Sequence, residues 1–78
     1  MADSRTVARR LIDRLDATER QILRYLIRGT SNKDIGARMG IGLENVETNR
    51  AVMMEKLQAK RIADAVRIGL LGEVDRTN

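Results

Sequence analysis

The sequence predicts an all-α fold organised around a helix-turn-helix, and three observations support that prediction. Apolar residues recur at helical spacing along most of the 78-residue chain, which contains no proline. Residues 31–57 consist of a short periodic run, the turn Gly40-Ile41-Gly42 and a longer periodic run. A capping box at Asp16 and Glu19 and a stop signal at Gly29 bound a helix before them.

Composition excludes most classes of enzyme. The chain has no cysteine and no histidine, which excludes disulfides, thiolate or imidazole metal sites and Cys/His or Ser/His catalytic pairs. Tyr25 is its one aromatic residue, so the stacking platforms that hold single-stranded nucleic acid are missing. No phosphate-binding loop is present either. We therefore expect no enzymatic activity, no metal and no cofactor.

Charge and hydropathy favour duplex DNA as the partner. The net charge is +4, from 15 Lys and Arg against 11 Asp and Glu, and this balance favours a polyanion. No apolar run approaches the ~20 residues that would cross a bilayer, and the N-terminus lacks the apolar core of a signal peptide. We expect one domain with no membrane contact, located in the cytoplasm and associated with the nucleoid.

Residues 1–14 are expected to form an N-terminal arm or helix. Val7, Leu11 and Leu15 lie four apart, which predicts a helix from about Ser4. A disordered arm fits the same residues equally well. A basic arm could contact phosphates, whereas a helix could pack on a partner.

The next two helices carry clear start signals. Asp16 caps a helix whose inner stripe is Leu15, Ile22, Leu23 and Leu26, and whose row of Arg20, Arg24 and Arg28 is expected to be a solvated surface. Ser31 caps the supporting helix of the helix-turn-helix. Lys33 lies in its first turn, where it is either a phosphate contact or an ordinary exposed lysine. Gly36 is unfavourable inside a helix unless another part of the chain approaches closely there.

The reading helix spans about Leu43 to Gln58, with Val46, Met53 and Leu57 on its buried stripe. Asparagine can bind adenine through two hydrogen bonds, threonine can bond to bases, and valine can cover a thymine methyl group. The predicted base contacts are Asn45, Thr48, Asn49 and Val52, and the predicted backbone contacts are Lys33, Arg50, Lys56, Lys60 and Arg61. Glu44 and Glu47 oppose this interpretation because they repel phosphates, and a plain amphipathic helix remains the alternative.

The last helix has a wider apolar arc than one small core needs, which favours pairing with a second chain, although the arc could also simply close the core. The predicted dimer contacts are Ile62, Ala65, Val66, Ile68 and Leu71. Residues 73–78 are polar, and we expect them to be a loose tail.

Residues 15–71 resemble the four-helix DNA-binding domain of LuxR/FixJ-type bacterial transcription regulators. The motifs are L-x-x-x-E-R-x-x-L, G-x-S-N-K-x-I, G-I followed by V-E, and a closing K-L, while V-E-x-x-R-A-x-x-M-x-K is similar to the FixJ branch. The resemblance implies that residues 15–72 form this domain and that Lys33 contacts a phosphate. It also implies that Asn45, Glu47, Thr48 and Arg50 face DNA, and that the last helix forms dimers.

The sequence departs from the family at Gly42, Asn45, Asn49 and Val52, where serine, threonine, histidine and a polar residue are usual. The preferred half-site therefore cannot be transferred. No receiver or ligand-sensing domain is recognisable, so we expect a single-domain transcriptional regulator that binds double-stranded DNA as a homodimer. The alternative is an adaptor or anti-activator that does not bind DNA and pairs with another regulatory protein through its last helix and apolar surface.

Overall fold

The computed structural model describes residues 3–76 and contains helices but no strand within that range. Its elements are α1 (Ser4–Ile12), α2 (Ala17–Ile27), α3 (Asn32–Met39), α4 (Leu43–Lys56), α5 (Ile62–Leu71) and a C-terminal 3-10 helix (Val74–Arg76). Helices α2 to α5 are the four predicted by the resemblance, and α1 is the additional N-terminal helix. The all-α helix-turn-helix prediction is confirmed.

Side chains cap three of the helices at their N-termini. The Asp16 carboxylate accepts a hydrogen bond from the Glu19 backbone N–H (2.8 Å), and the Glu19 carboxylate accepts one from the Asp16 N–H (2.8 Å). This is the reciprocal capping box that the sequence predicts. The Ser31 hydroxyl accepts a bond from the backbone N–H of Asp34. Asp3 caps α1 through the Thr6 N–H, which lowers the pKa of the Asp3 carboxyl.

The principal packing contacts run in a chain: α1 on α5, α5 on α2, α2 on α4, and α4 on α3. The molecule is therefore elongated, with extents of 41 × 23 × 20 Å. Its hydrophobic core contains buried side chains from all five α-helices and from the 3-10 helix, and Ile12 is the contribution of α1. The core residues are Ile12, Leu15, Ile22, Leu23, Leu26, Ile35, Val46, Met53, Leu57, Ala65 and Val74. The supporting and reading helices lie at the end of the molecule far from α1.

Of the two forms that the sequence allowed for residues 4–12, the structure has the helix. Ala8 and Ile12 are buried, while Val7 is 44% exposed. The Arg9 Nη1 donates a hydrogen bond to the Gly72 carbonyl oxygen at 3.2 Å, which connects α1 to the segment after α5. Met1 and Ala2 of the predicted arm lie outside the described residues.

The prediction that residues 73–78 form a loose tail is wrong for Val74–Arg76. Val74 is 1% exposed and belongs to the core, and its carbonyl oxygen accepts a hydrogen bond from Arg24 Nε at 3.2 Å. Asp75 lies 3.9 Å from the Arg28 guanidinium, at the end of α2. One buried valine therefore holds this segment against the domain, and Thr77 and Asn78 lie outside the described residues. Within residues 3–76, no helix has the length and apolarity to cross a membrane.

Candidate nucleic-acid interface

A glycine turn sets the angle between the supporting helix α3 and the reading helix α4. Gly40 adopts a left-handed conformation with φ of 69°, which ends α3, and the Ile41 N–H donates to the Gly36 carbonyl oxygen at 3.0 Å. A Cβ atom on Gly36 would lie 2.9 Å from the Ile41 carbonyl oxygen. The sequence predicted a close approach at Gly36, and the structure identifies the turn backbone as the approaching group.

Two polar contacts fix the rotation of α4 about its axis. On one side, the Arg50 Nη1 donates to the Asn32 Oδ1 at 2.9 Å, which joins α4 to the start of α3. On the other side, the Lys56 Nζ donates to the Glu19 Oε1 at 2.8 Å, which joins α4 to α2. The core lies between these contacts. The surface of α4 opposite the core is open, and its exposed residues are Leu43, Glu44, Asn45, Glu47, Thr48, Ala51, Val52 and Glu55.

The four predicted base contacts do not share one position on this surface. Thr48 lies on the open face, roughly opposite the buried Val46 and Met53. Asn45, Asn49 and Val52 instead follow a stripe that continues to Lys56, which is the side of α4 that faces α2. Asn45 and Val52 are exposed, whereas Asn49 is half-buried. The structure thus brings Thr48 to the open face and the other three to its α2 flank.

The five predicted backbone contacts divide by their partners. Lys33, Lys60 and Arg61 have exposed side chains that form no ion pair among residues 3–76. Arg50 is half-buried and bonded to Asn32.

Lys56 differs from these cations because its Nζ is bonded to a carboxylate that is 4% exposed. The Glu19 hydrogen bond raises the pKa of Lys56. Since this pair satisfies a buried charge, a phosphate would have to share Lys56 with Glu19, and a contact of Lys56 with the DNA backbone stays a prediction.

A groove of about 530 Å³ joins the two helices of the motif to the turn before α5. It extends along one side of α4 from the start of α3, and its lining residues are Asn32, Glu47, Arg50, Ala51, Met54, Ala59, Lys60 and Ile62. Arg50 and Lys60 bring two cations to this groove. Sequence reasoning missed Ala51, although its spacing from Glu47 and Thr48 already places it on the same side of a helix.

Three carboxylates lie on the exposed surface of α4. Glu44, Glu47 and Glu55 form no ion pair and accept no side-chain hydrogen bond within the described part of the chain. Glu44 lies in the first turn, where a negative charge stabilises the helix dipole, but Glu47 lies beyond that turn. The open face is therefore more acidic than the net charge of the chain suggests.

The predicted dimer contacts on α5 are only partly available. Ala65 is 0% exposed and belongs to the core, so its assignment to an interface is wrong. Ile62 and Ile68 are half-buried and pack against the core, which leaves each a reduced exposed surface. Val66 and Leu71 line a second groove of about 530 Å³ together with Arg5, Ala63, Arg67, Leu70 and Glu73. The predicted set omitted Leu70, which is 60% exposed.

Comparisons with known proteins agree with the helix-turn-helix fold. The family model described as "Bacterial regulatory proteins, luxR family" matches residues 13–68. The chain is 38% identical over 72 residues to the transcriptional regulatory protein FixJ of Azorhizobium caulinodans, covering 92% of this chain and 34% of that protein. It is 37% identical over 68 residues to the tetrathionate response regulatory protein TtrR of Salmonella typhimurium, covering 82% of this chain and 33% of that protein.

A solved structure, full-length FixJ from B. japonicum, superposes with a TM-score of 0.75 at 34% identity, covering 90% of this chain and 36% of that one. The chain thus spans about a third of the length of the relatives that it matches.

Proposed function

Because this chain belongs to the LuxR family of bacterial regulatory proteins, we propose that it binds double-stranded DNA as a dimer and regulates transcription. The observation that carries the proposal is the position of α4. Its buried stripe holds it on the domain, Arg50 ties it to the supporting helix, and its opposite face is open. This arrangement allows α4 to enter a major groove while α3 crosses the DNA backbone.

Phosphate contacts would come from the exposed cations near the ends of the two helices. Lys33 lies in the first turn of α3, where backbone N–H groups add positive potential. Lys60 and Arg61 lie in the turn between α4 and α5, and Lys60 lines the same groove as Arg50. These cations flank the open face of α4 and could hold the two sides of a major groove.

The dimer would form through the exposed stripe of α5, in which Ala63, Val66, Arg67 and Leu70 recur at helical spacing. Two copies related by a twofold axis, with their α5 helices antiparallel, would place Ala63 of one subunit opposite Leu70 of the other. The small side chain would leave room for the large one, which makes the surface self-complementary. Two reading helices would then meet major grooves about one helical turn, ~34 Å, apart.

Selection of bound fragments from a random duplex pool tests the DNA proposal. We expect enrichment of a motif with approximate dyad symmetry. Lys33→Ala should weaken binding to all sequences alike and reduce the log–log salt slope by about 0.9. Arg10→Ala removes the same charge from α1, far from α3 and α4, and should leave the slope nearly unchanged. No enriched motif, or equal effects of the two substitutions, would contradict the proposal.

Analytical ultracentrifugation tests the dimer separately from DNA binding. Leu70→Glu places a charge in the middle of the proposed interface and should shift the protein toward monomer. Leu43→Glu makes the same change at a 50% exposed residue of the reading helix, and should leave the association constant unchanged. Dimers that tolerate Leu70→Glu would show that α5 is not the interface.

An adaptor that does not bind DNA remains a second candidate because the open face of α4 is acidic. It carries Glu44, Glu47 and Glu55, and the cation near its end, Lys56, forms an ion pair with Glu19. Ionic strength discriminates between the two functions. Binding to DNA should weaken steeply as salt rises, whereas an apolar contact with another regulator should change little. Binding of a protein partner that persists in high salt, without any binding to duplex DNA, would favour the adaptor.

A further inference from the structure

We propose that Glu47 selects a cytosine in each half-site of the DNA, an inference that rests on the DNA binding proposed above. The orientation of α4 determines which of its sides can face DNA. Arg50 marks the side of α4 that faces the start of α3, and Lys56 marks the side that faces α2. Because α3 crosses the DNA backbone in a helix-turn-helix, the DNA side of α4 must adjoin α3 and not α2.

Glu47 lies on that DNA side. It lines the groove that also contains Asn32 at the start of α3 and Lys60 in the turn before α5. Ala51 is one turn further along the same groove, and Thr48 borders it on the open face. Of Glu47, Thr48 and Ala51, Glu47 has the longest side chain with hydrogen-bonding atoms, so it reaches furthest toward a base edge from the second turn of α4.

Glu47 forms no direct ion pair among the described residues, although Arg50 and Lys60 line the same groove. The nearest cation along the helix, Arg50, donates to Asn32, and no described residue forms an ion pair with Glu47. The helix dipole falls off within the first turn, so it does not explain a carboxylate at this position. Between phosphates such a charge opposes binding to DNA generally, unless a base supplies a donor.

The chemistry of the major groove then identifies the base. A carboxylate accepts hydrogen bonds and cannot donate them. The base-edge donors in the major groove are the N4 amine of cytosine and the N6 amine of adenine, but adenine also presents its N7 acceptor beside the amine. The N7 lone pair repels a carboxylate, whereas cytosine offers the amine without it. Glu47 would therefore lower binding to all sequences and restore it where a cytosine is in reach.

The test compares two charge-neutralising substitutions by selection from a random duplex pool, followed by titration of single-base variants of the recovered motif. The wild type should recover a cytosine at one position of each half-site. Glu47→Gln should reduce the preference for that cytosine about tenfold. It should bind adenine at the same position more tightly than the wild type does, because glutamine pairs with the N6 and N7 of adenine. The control, Glu55→Gln, lies eight residues further, ~12 Å along the helix, and should keep the cytosine.

Binding to random duplex supplies a second readout. Both substitutions remove one negative charge from α4, so both should raise affinity for non-specific DNA to a similar extent. A wild-type motif whose base preferences are the same in Glu47→Gln would overturn the role of Glu47 and leave DNA binding intact. Failure of the wild type to enrich any motif would overturn both the inference and the function on which it rests.

Discussion

Replacement of Glu19 by alanine should destabilise the domain more than any other single change to a charged residue of the described chain. Its carboxylate is buried, and Oε1 accepts two hydrogen bonds, from the Asp16 backbone N–H and from Lys56 Nζ, both at 2.8 Å. The same oxygen therefore caps α2 and anchors the end of the reading helix. Glu19→Ala removes both functions together with the packing of one buried methylene group, Cγ, because alanine keeps Cβ.

The expected loss of unfolding free energy is the sum of these contributions. Removal of the capping acceptor costs about 1 kcal/mol, and the lost methylene group contributes about 0.8 kcal/mol. Relief of the buried charge and the higher helix propensity of alanine offset part of this, about 0.5 kcal/mol together. The net loss of unfolding free energy is about 1.3 kcal/mol on these magnitudes. For a domain of this size, that corresponds to a fall in Tm of roughly 5–10 °C.

Thermal and urea denaturation of Glu19→Ala and Glu19→Gln, monitored by circular dichroism, test this reasoning. Glutamine keeps both methylene groups and an oxygen that can accept the Asp16 N–H, and it removes the charge. We expect Glu19→Gln to lose less than half as much stability as Glu19→Ala. Equal losses would show that the ion pair with Lys56, and not the cap and the packing, carries the effect of Glu19. A loss for Glu19→Ala near zero would contradict its burial.

Three further changes test other parts of the structure. Gly36→Ala should lose about 1 kcal/mol in urea denaturation, because the contact with the Ile41 carbonyl oxygen outweighs the gain in helix propensity; stabilisation would contradict the tight turn. Val74→Ala should lose about 2 kcal/mol, whereas a loose tail would lose none. The pKa of Lys56 is raised, so its pairing with Glu19 stabilises the fold fully below pH 10.5 and is lost as pH rises through the raised value. The stability difference between wild type and Lys56→Met should therefore shrink above pH 10.5, and a constant difference would refute the pair.

Local signals in the sequence predicted most of the fold because local interactions determine it. Asp16 and Ser31 accept hydrogen bonds from residues three positions later, so their caps can be recognised from spacing alone. Gly40 ends α3 with a positive φ that other residues adopt only with strain. Each signal acts within one turn of helix, and the helix boundaries predicted from these signals agree with the structure.

The same local signals do not predict contacts between distant parts of the chain. Arg9 donates to the carbonyl oxygen of Gly72, 63 residues away, and Arg24 donates to that of Val74, 50 residues away. Nothing in the polar composition of residues 73–78 indicates that one valine is buried. Arg24, which the sequence predicted to lie on a solvated surface, instead holds the C-terminal segment in place together with Arg9.

Helical periodicity alone does not predict which exposed side of α4 could face DNA. Helical spacing identifies which residues of α4 share a stripe, and it correctly places Val46 and Met53 inside. It does not identify which exposed stripe faces DNA, because that depends on where α2 and α3 contact α4. The stripe of asparagines chosen from side-chain chemistry ends at Lys56, and Lys56 is bonded to α2. The side that adjoins α3 carries Glu47 instead, so the charge that seemed to oppose DNA binding lies where a base could be read.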